Sequence, residues 1–230
     1  MIGCLCIHGF TGGPYEIEPL AAYLRETTDW TIEAPTLPGH GETLQLKGIT
    51  YDQWLHAAEE EMQKLRETCD TIYVIGFSMG GVIATYLATK YSVEKLVLLS
   101  PAFYYVNLPQ LLKEIRRMIR DGFRRQLYEN PLFVRYKAKL IATPWTATLE
   151  FRKLVNEVRP RLPLVQVPVL IAQGEEDGIV PPKSAQYVYE TIGSKEKQLL
   201  FLPSSRHHVC HEPDCQILFR HVEAFLKENF

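Results

Sequence analysis

No stretch of the sequence approaches the run of about 18 apolar residues that a membrane span needs. The first residues, Met1-Ile2-Gly3-Cys4-Leu5-Cys6-Ile7, carry neither a basic leader nor a small-residue cleavage site, and are expected to open the fold as a strand. Charge of one sign is also missing: the formal net charge is −2, which gives no general case for nucleic acid as a partner. Cysteine is sparse and unframed. The five (Cys4, Cys6, Cys69, Cys210, Cys215) are odd in number and lack disulfide spacing, so reduced thiols and a cytoplasmic setting are expected. There is no internal repeat and no low-complexity tract. What remains is a chain of 230 residues, 46% hydrophobic and 11% aromatic, enough for one α/β domain with a substantial core.

The most informative stretch runs from Ile72 to Ala84. Four residues rich in β-branched types, Ile72 to Ile75, lead into Gly76-Phe77-Ser78-Met79-Gly80, and a helix-compatible segment follows to about Lys90. A strand, a tight turn and a helix form the setting in which Gly-x-Ser-x-Gly acts as a nucleophile elbow. A serine at such a corner is driven to positive φ, a strained region for a residue with a Cβ. Glycines flank it because side chains there would collide across the turn. The pentapeptide alone also fits a Gly-rich βα turn with a solvated serine, so the rest of the chain has to discriminate.

Along the chain, strands and helices alternate. Strands are expected at 2–7, 30–34, 72–75, 95–100, 167–173 and 198–202. Helices are expected from Pro14 with Ile17, Leu20, Ala21 and Leu24 on one face, over Tyr51 to Arg66, after the elbow, over Pro182 to Thr191, and at the end, containing Ile217, Phe219, Val222 and Phe225. That alternation predicts an α/β fold with a mostly parallel, right-handed sheet of about six strands, covered by helices on both faces. From 101 to 164 it stops, and this stretch is expected to be an inserted helical cap within a single domain, 1–230. It is basic: residues 101–165 hold 13 Lys and Arg against 5 Asp and Glu, a local +8 that leaves −10 elsewhere.

These features together resemble the α/β-hydrolase superfamily, and within it the small bacterial carboxylesterases and monoacylglycerol lipases. The resemblance spans nearly the whole chain. It rests on Gly76 to Gly80, on His8-Gly9-Phe10-Thr11-Gly12 after the first strand, on Gly39-His40-Gly41 after the second, on Gly174-x-x-Asp177-x-x-Val180-Pro181, and on His208-Val209 after the last strand. The order Ser, Asp, His is that of the fold. The six-residue strand 2–7, all but the whole lead before His8, departs from the pattern, leaving little room for opening antiparallel strands.

The resemblance implies a serine carboxylesterase acting on short- to medium-chain acyl esters, monoacylglycerols among them, through an acyl-enzyme and without metal or organic cofactor. Ser78 is the implied nucleophile, Asp177 the orienting acid and His208 the base, with the N–H groups of Met79 and Phe10 as the oxyanion hole. A histidine base implies activity that declines below about pH 6–7. Glu175 and Glu176 compete with Asp177, and His207 with His208; the family spacing selects Asp177 and His208. His8 and His40 are expected to brace loops, and His56 and His221 to lie on the surface.

Other readings stay open. A thioesterase or acyltransferase would use the same triad, and a hydrolase-fold binding protein would keep the site with little turnover. His207, His208, Cys210, His211 and Cys215 crowd together as zinc ligands do, but without paired Cys-x-x-Cys or His-x-x-x-His spacing. The cap's apolar residues are either core or an acyl pocket, for which Phe103, Tyr104, Tyr105, Leu108, Phe133 and Trp145 are the candidates. Its basic face is either solvated or a contact to anionic lipid or substrate.

Overall fold

The computed structural model describes residues 1–103 and 143–228. Six strands form one sheet: β1 (Ile2–Ile7), β2 (Thr31–Glu33), β3 (Thr71–Phe77), β4 (Lys95–Leu99), β5 (Val169–Gly174) and β6 (Lys197–Leu202). Their order is β2-β1-β3-β4-β5-β6, and every neighbouring pair is parallel. The connections are helical: α1 (Glu18–Thr27), α2 (Tyr51–Thr68), α3 (Met79–Lys90), α4 (Trp145–Val158), α5 (Lys183–Thr191) and α6 (Cys215–Lys227). The expected α/β-hydrolase architecture is present. Parallel pairing throughout follows from helical crossovers between all successive strands, since no two of them meet in a hairpin.

The central strands are buried on both faces, and their side chains alternate between two cores. Leu5, Ile7, Val74, Leu96, Leu98, Val169 and Ile171 pack beneath α2, α3, α4 and α5. Cys4, Cys6, Ile75, Phe77, Val97, Leu99, Leu170 and Ala172 pack beneath α1 and α6. Burying each such Leu or Ile contributes about 1.5–3 kcal/mol before chain entropy is counted. The edge strand β2 is only three residues long, which limits the open backbone it offers for edge-to-edge pairing.

The closing helix α6 buries one face against the sheet. Ile217 is 55% exposed, and Leu218 lies in the core with Phe219, Val222, Phe225 and Leu226. Within the stretch 101–164, helix α4 buries Ala147, Phe151, Leu154, Val155 and Val158 in the same core as α2 and α3. Tyr104, Tyr105, Leu108 and Phe133 lie outside the described residues.

All five cysteines are free, and four of them are buried. The Cys4 and Cys6 sulfurs lie 3.9 Å apart on one face of β1. Their mutual hydrogen bond, then burial, pushes the Cys4 thiol well up, and burial pushes Cys210 up. A thiol that cannot ionise is a poor nucleophile. The native protein is therefore expected to react rapidly with Ellman's reagent only at half-exposed Cys215, and at all five thiols after denaturation. Two or more fast native thiols would contradict this packing. Among the described residues, no helix is long and apolar enough to cross a membrane.

Candidate active site

The site is built at the carboxyl ends of the strands, where loops in a parallel sheet converge. Between β3 and α3 the chain reverses at Ser78, whose φ of 54° and ψ of −112° lie in the strained region its sequence context implied. The two motif glycines are sterically required. A Cβ on Gly76 would stand 2.2 Å from the Gly80 carbonyl oxygen, and one on Gly80 would stand 2.1 Å from that of Ile7. The second contact brings the start of α3 directly against the end of β1. The Ser78 N–H donates to the Leu99 carbonyl at 2.8 Å, tying the bend to β4.

The Ser78 hydroxyl meets a histidine, and that histidine is His207. Its Nε2 lies 3.0 Å from Ser78 Oγ, and its Nδ1 lies 2.7 Å from Asp177 Oδ2. The expectation for His208 is therefore corrected: that ring turns away, to 3.4 Å from the buried carboxylate of Glu16. The physical reason is the backbone of the loop after β6. Two adjacent side chains cannot both face Ser78, and long-range contacts fix which does. The carbonyls of Ser205 and Arg206 press on Gly174, where a Cβ would stand 2.3 Å from each oxygen. The hydroxyl of Ser100 donates to the His207 carbonyl at 3.0 Å. Phe77 packs against both imidazoles, with ring centroids 5.0 and 5.4 Å away.

Asp177 is held at both oxygens, and every partner is a donor. Oδ1 accepts the N–H groups of Ile179 and Val180, each at 2.8 Å, and Oδ2 accepts Gln173 Nε2 at 2.9 Å besides His207. The proton of the His207 imidazole is thereby assigned to Nδ1, leaving the Nε2 lone pair for the serine hydroxyl. Both side chains are shielded from water, with exposures of 4% for His207 and 0% for Asp177. Low local dielectric strengthens such contacts. Glu176, the rival of Asp177, instead lies on the surface, 3.9 Å from Arg206.

Three supporting residues carried no signal in the sequence. Ser100, buried at the end of β4 with φ of 47°, fixes the His207 backbone, and Gln173 fixes Asp177. Glu16 accepts the Gly9 N–H at 2.9 Å beneath the loop that follows β1. A serine after a buried strand, a glutamine inside one and an acid near a helix start are each ordinary by themselves. His8 does brace its loop: Nε2 accepts the Leu37 N–H at 3.0 Å, so Nδ1 carries the proton and donates to the Gly9 carbonyl at 2.8 Å. His40 Nδ1 lies 3.0 Å from the Pro38 carbonyl, and His56 lies on the surface.

Of the proposed pocket residues, Phe103 is fully buried and its N–H donates to Ser184 Oγ at 3.1 Å, and Trp145 is 57% exposed. Phe10 is half-buried and stacks on Phe151 of α4, with centroids 5.1 Å apart. Among the described residues, no group of three or more His, Cys, Asp or Glu is arranged to hold a metal ion.

Residues 3–214 match the family described as serine aminopeptidase, S33. The chain is 31% identical over 238 residues to a thermostable monoacylglycerol lipase of Bacillus sp. (strain H-257), covering 98% of this chain and 91% of the relative. It is 23% identical to a carboxylesterase of Bacillus subtilis (strain 168), covering 97% and 92%. A solved structure from work on LipS and LipT, two metagenome-derived lipolytic enzymes, superposes with a TM-score of 0.81 at 26% identity, covering 99% of this chain and 94% of that one.

Proposed function

The chain belongs to the serine aminopeptidase S33 family of α/β-hydrolases, and on that premise we propose that it is a carboxylesterase cleaving short- to medium-chain acyl esters, monoacylglycerols among them, through an acyl-enzyme on Ser78. The observation that carries this reading is the unbroken relay from Ser78 Oγ through His207 to Asp177, at 3.0 and 2.7 Å. A serine hydroxyl is too weak a nucleophile at neutral pH without such a base.

In the proposed cycle, Ser78 Oγ attacks the ester carbonyl carbon while His207 Nε2 takes the hydroxyl proton. The carbonyl oxygen becomes an oxyanion held by the N–H groups of Met79 and Phe10, the first at the start of α3 and the second in the loop pressed against it. One such donor contributes about 3–4 kcal/mol in the transition state. Collapse breaks the bond to the alcohol oxygen, which receives the proton from His207 Nε2. Water then attacks the acyl carbon and gives a proton to His207, and the second collapse returns that proton to Ser78 Oγ and releases the acid. Asp177 holds the imidazole in the required tautomer and stabilises the imidazolium.

The substrate has to be supplied to a buried serine, so the acyl chain is assigned to the space under the 101–164 segment, with its basic residues as a surface for anionic lipid. The free thiols support a cytoplasmic setting. The test is a series of p-nitrophenyl acyl esters from two to twelve carbons, run beside a monoacylglycerol, an acyl thioester and an aminoacyl anilide. Ester turnover with an optimum in the short to medium range is expected. Cleavage of the anilide or thioester with no ester turnover would overturn the assignment.

A further inference from the structure

Glu16 is a carboxylate in an unusual place. Its side chain has no exposure to water, yet it lies just before α1, a surface-layer helix. Oε2 accepts the Gly9 N–H at 2.9 Å, and Oε1 faces His208 Nε2 at 3.4 Å. The loop from His8 to Gly13 is wrapped around this group. A Cβ on Gly12 would stand 1.8 Å from Glu16 Oε2, so the carboxylate occupies the volume that any other residue at 12 would fill. Burial pushes the Glu16 carboxyl up, but the His208 ring beside it, with the Gly9 N–H, holds it below the ordinary carboxylate value.

The same loop is strained. Thr11, a β-branched residue, has φ of 62°, where such residues are seldom found. Strain of that kind persists only where surrounding contacts over-determine the backbone. Three contacts do so on Gly9. Its carbonyl is bound by His8 Nδ1 at 2.8 Å and by the Gly12 N–H at 3.3 Å, and its N–H is bound by Glu16. Because the Gly9–Phe10 peptide is planar and trans, fixing that carbonyl aims the Phe10 N–H the opposite way.

We propose that Glu16 is a positioning residue: its buried carboxylate, facing His208, holds the Gly9 N–H and so, together with the bonds on the Gly9 carbonyl, sets the Gly9–Phe10 peptide so that the Phe10 N–H meets the transition-state oxyanion. His208 thereby has a task of its own beside the base, locking the loop after β1 to the loop that carries His207. This inference rests on the reading of Phe10 as an oxyanion donor. It adds a residue that contacts neither substrate nor serine.

The experiment compares Glu16→Met, which removes the acceptor at similar volume, with Glu16→Gln, which keeps an acceptor for the Gly9 N–H. For Glu16→Met, kcat on a short p-nitrophenyl ester is expected to fall about 10- to 100-fold with KM within about twofold, because a donor that is misaimed loses part of the roughly 10²- to 10³-fold effect of one oxyanion contact. The inhibition constant of an alkyl boronic acid, whose tetrahedral Ser78 adduct mimics the oxyanion, should rise in proportion. Glu16→Gln should recover most of the loss, and Glu16→Gln combined with His208→Asn should be no worse than the poorer single variant. Parent-like kcat in Glu16→Met, or a loss confined to KM, would overturn the proposal. If Glu16→Met does not fold, the Gly9 amide proton in Glu16→Gln decides: an upfield shift on losing its carboxylate partner is expected, and an unmoved resonance overturns the contact. That measurement needs no substrate, so it separates failure of this inference from failure of the esterase reading.

Discussion

Replacing Ser78 with alanine is expected to lower kcat on an acyl ester about a millionfold, to the level set by binding and the oxyanion donors alone. The size follows from the role: without Oγ no acyl-enzyme can form, and water would have to attack directly in a site shaped for a covalent step. Stability should hardly change, because alanine meets the same φ of 54° and the lost hydroxyl is only one partner of His207. The melting temperature is therefore expected within a few degrees of the parent. Labelling by a fluorophosphonate should vanish along with turnover. A Ser78→Ala and His207→Ala double variant should be no slower than either single one, since the pair acts as a unit. Retention of a tenth of the parental rate in Ser78→Ala would remove the nucleophile from the proposal.

The layered fold was legible because its determinants are local. Strand segments such as Lys95 to Leu99 are short apolar runs bounded by breakers, and helices such as α2 show Trp54, Leu55, Ala58, Met62 and Leu65 at helical spacing. Helical residues step by about 100°, so at the start of α6 Ile217 points out and Leu218 in, a phase fixed by packing against Tyr23 and β5. The elbow was legible for the same reason as the strands. The glycines that permit it lie two residues either side of Ser78, and the close approaches that require them are made within the turn or to the strand beside it.

Asp177 was also legible, since its oxygens are bound by groups two to four residues away, at Gln173, Ile179 and Val180. His207 was not. Its direction is decided by contacts from β4 and β5, at Ser100 and Gly174, more than thirty residues away in the chain in the second case and over a hundred in the first. Glu16 was hidden because an acid near a helix start already has a local explanation in the helix dipole, and nothing nearby in sequence announces that its charge is buried. The pattern is general in its physics: local steric demands leave marks on residue type, and side-chain direction in a loop is set by whatever packs against it.

The adjacent histidines therefore give the sharpest test of the site. His207→Ala is expected to cut kcat about a millionfold, as loss of a general base does in serine hydrolases. Residual turnover should rise about tenfold per pH unit in alkaline solution, because hydroxide then replaces the missing base. His208→Asn should behave differently in kind. It removes a brace on Glu16, so kcat should fall by no more than about 10- to 100-fold, with the pH profile keeping its parental shape. The two rings are 5.5 Å apart and share Phe77 as a packing partner, so general damage to the loop would affect both variants alike. A gap of several orders of magnitude between them can only come from which imidazole reaches Ser78 Oγ. If His208→Asn proves the inactive one and His207→Ala the mild one, the 3.0 Å contact to Ser78 is not the catalytic contact.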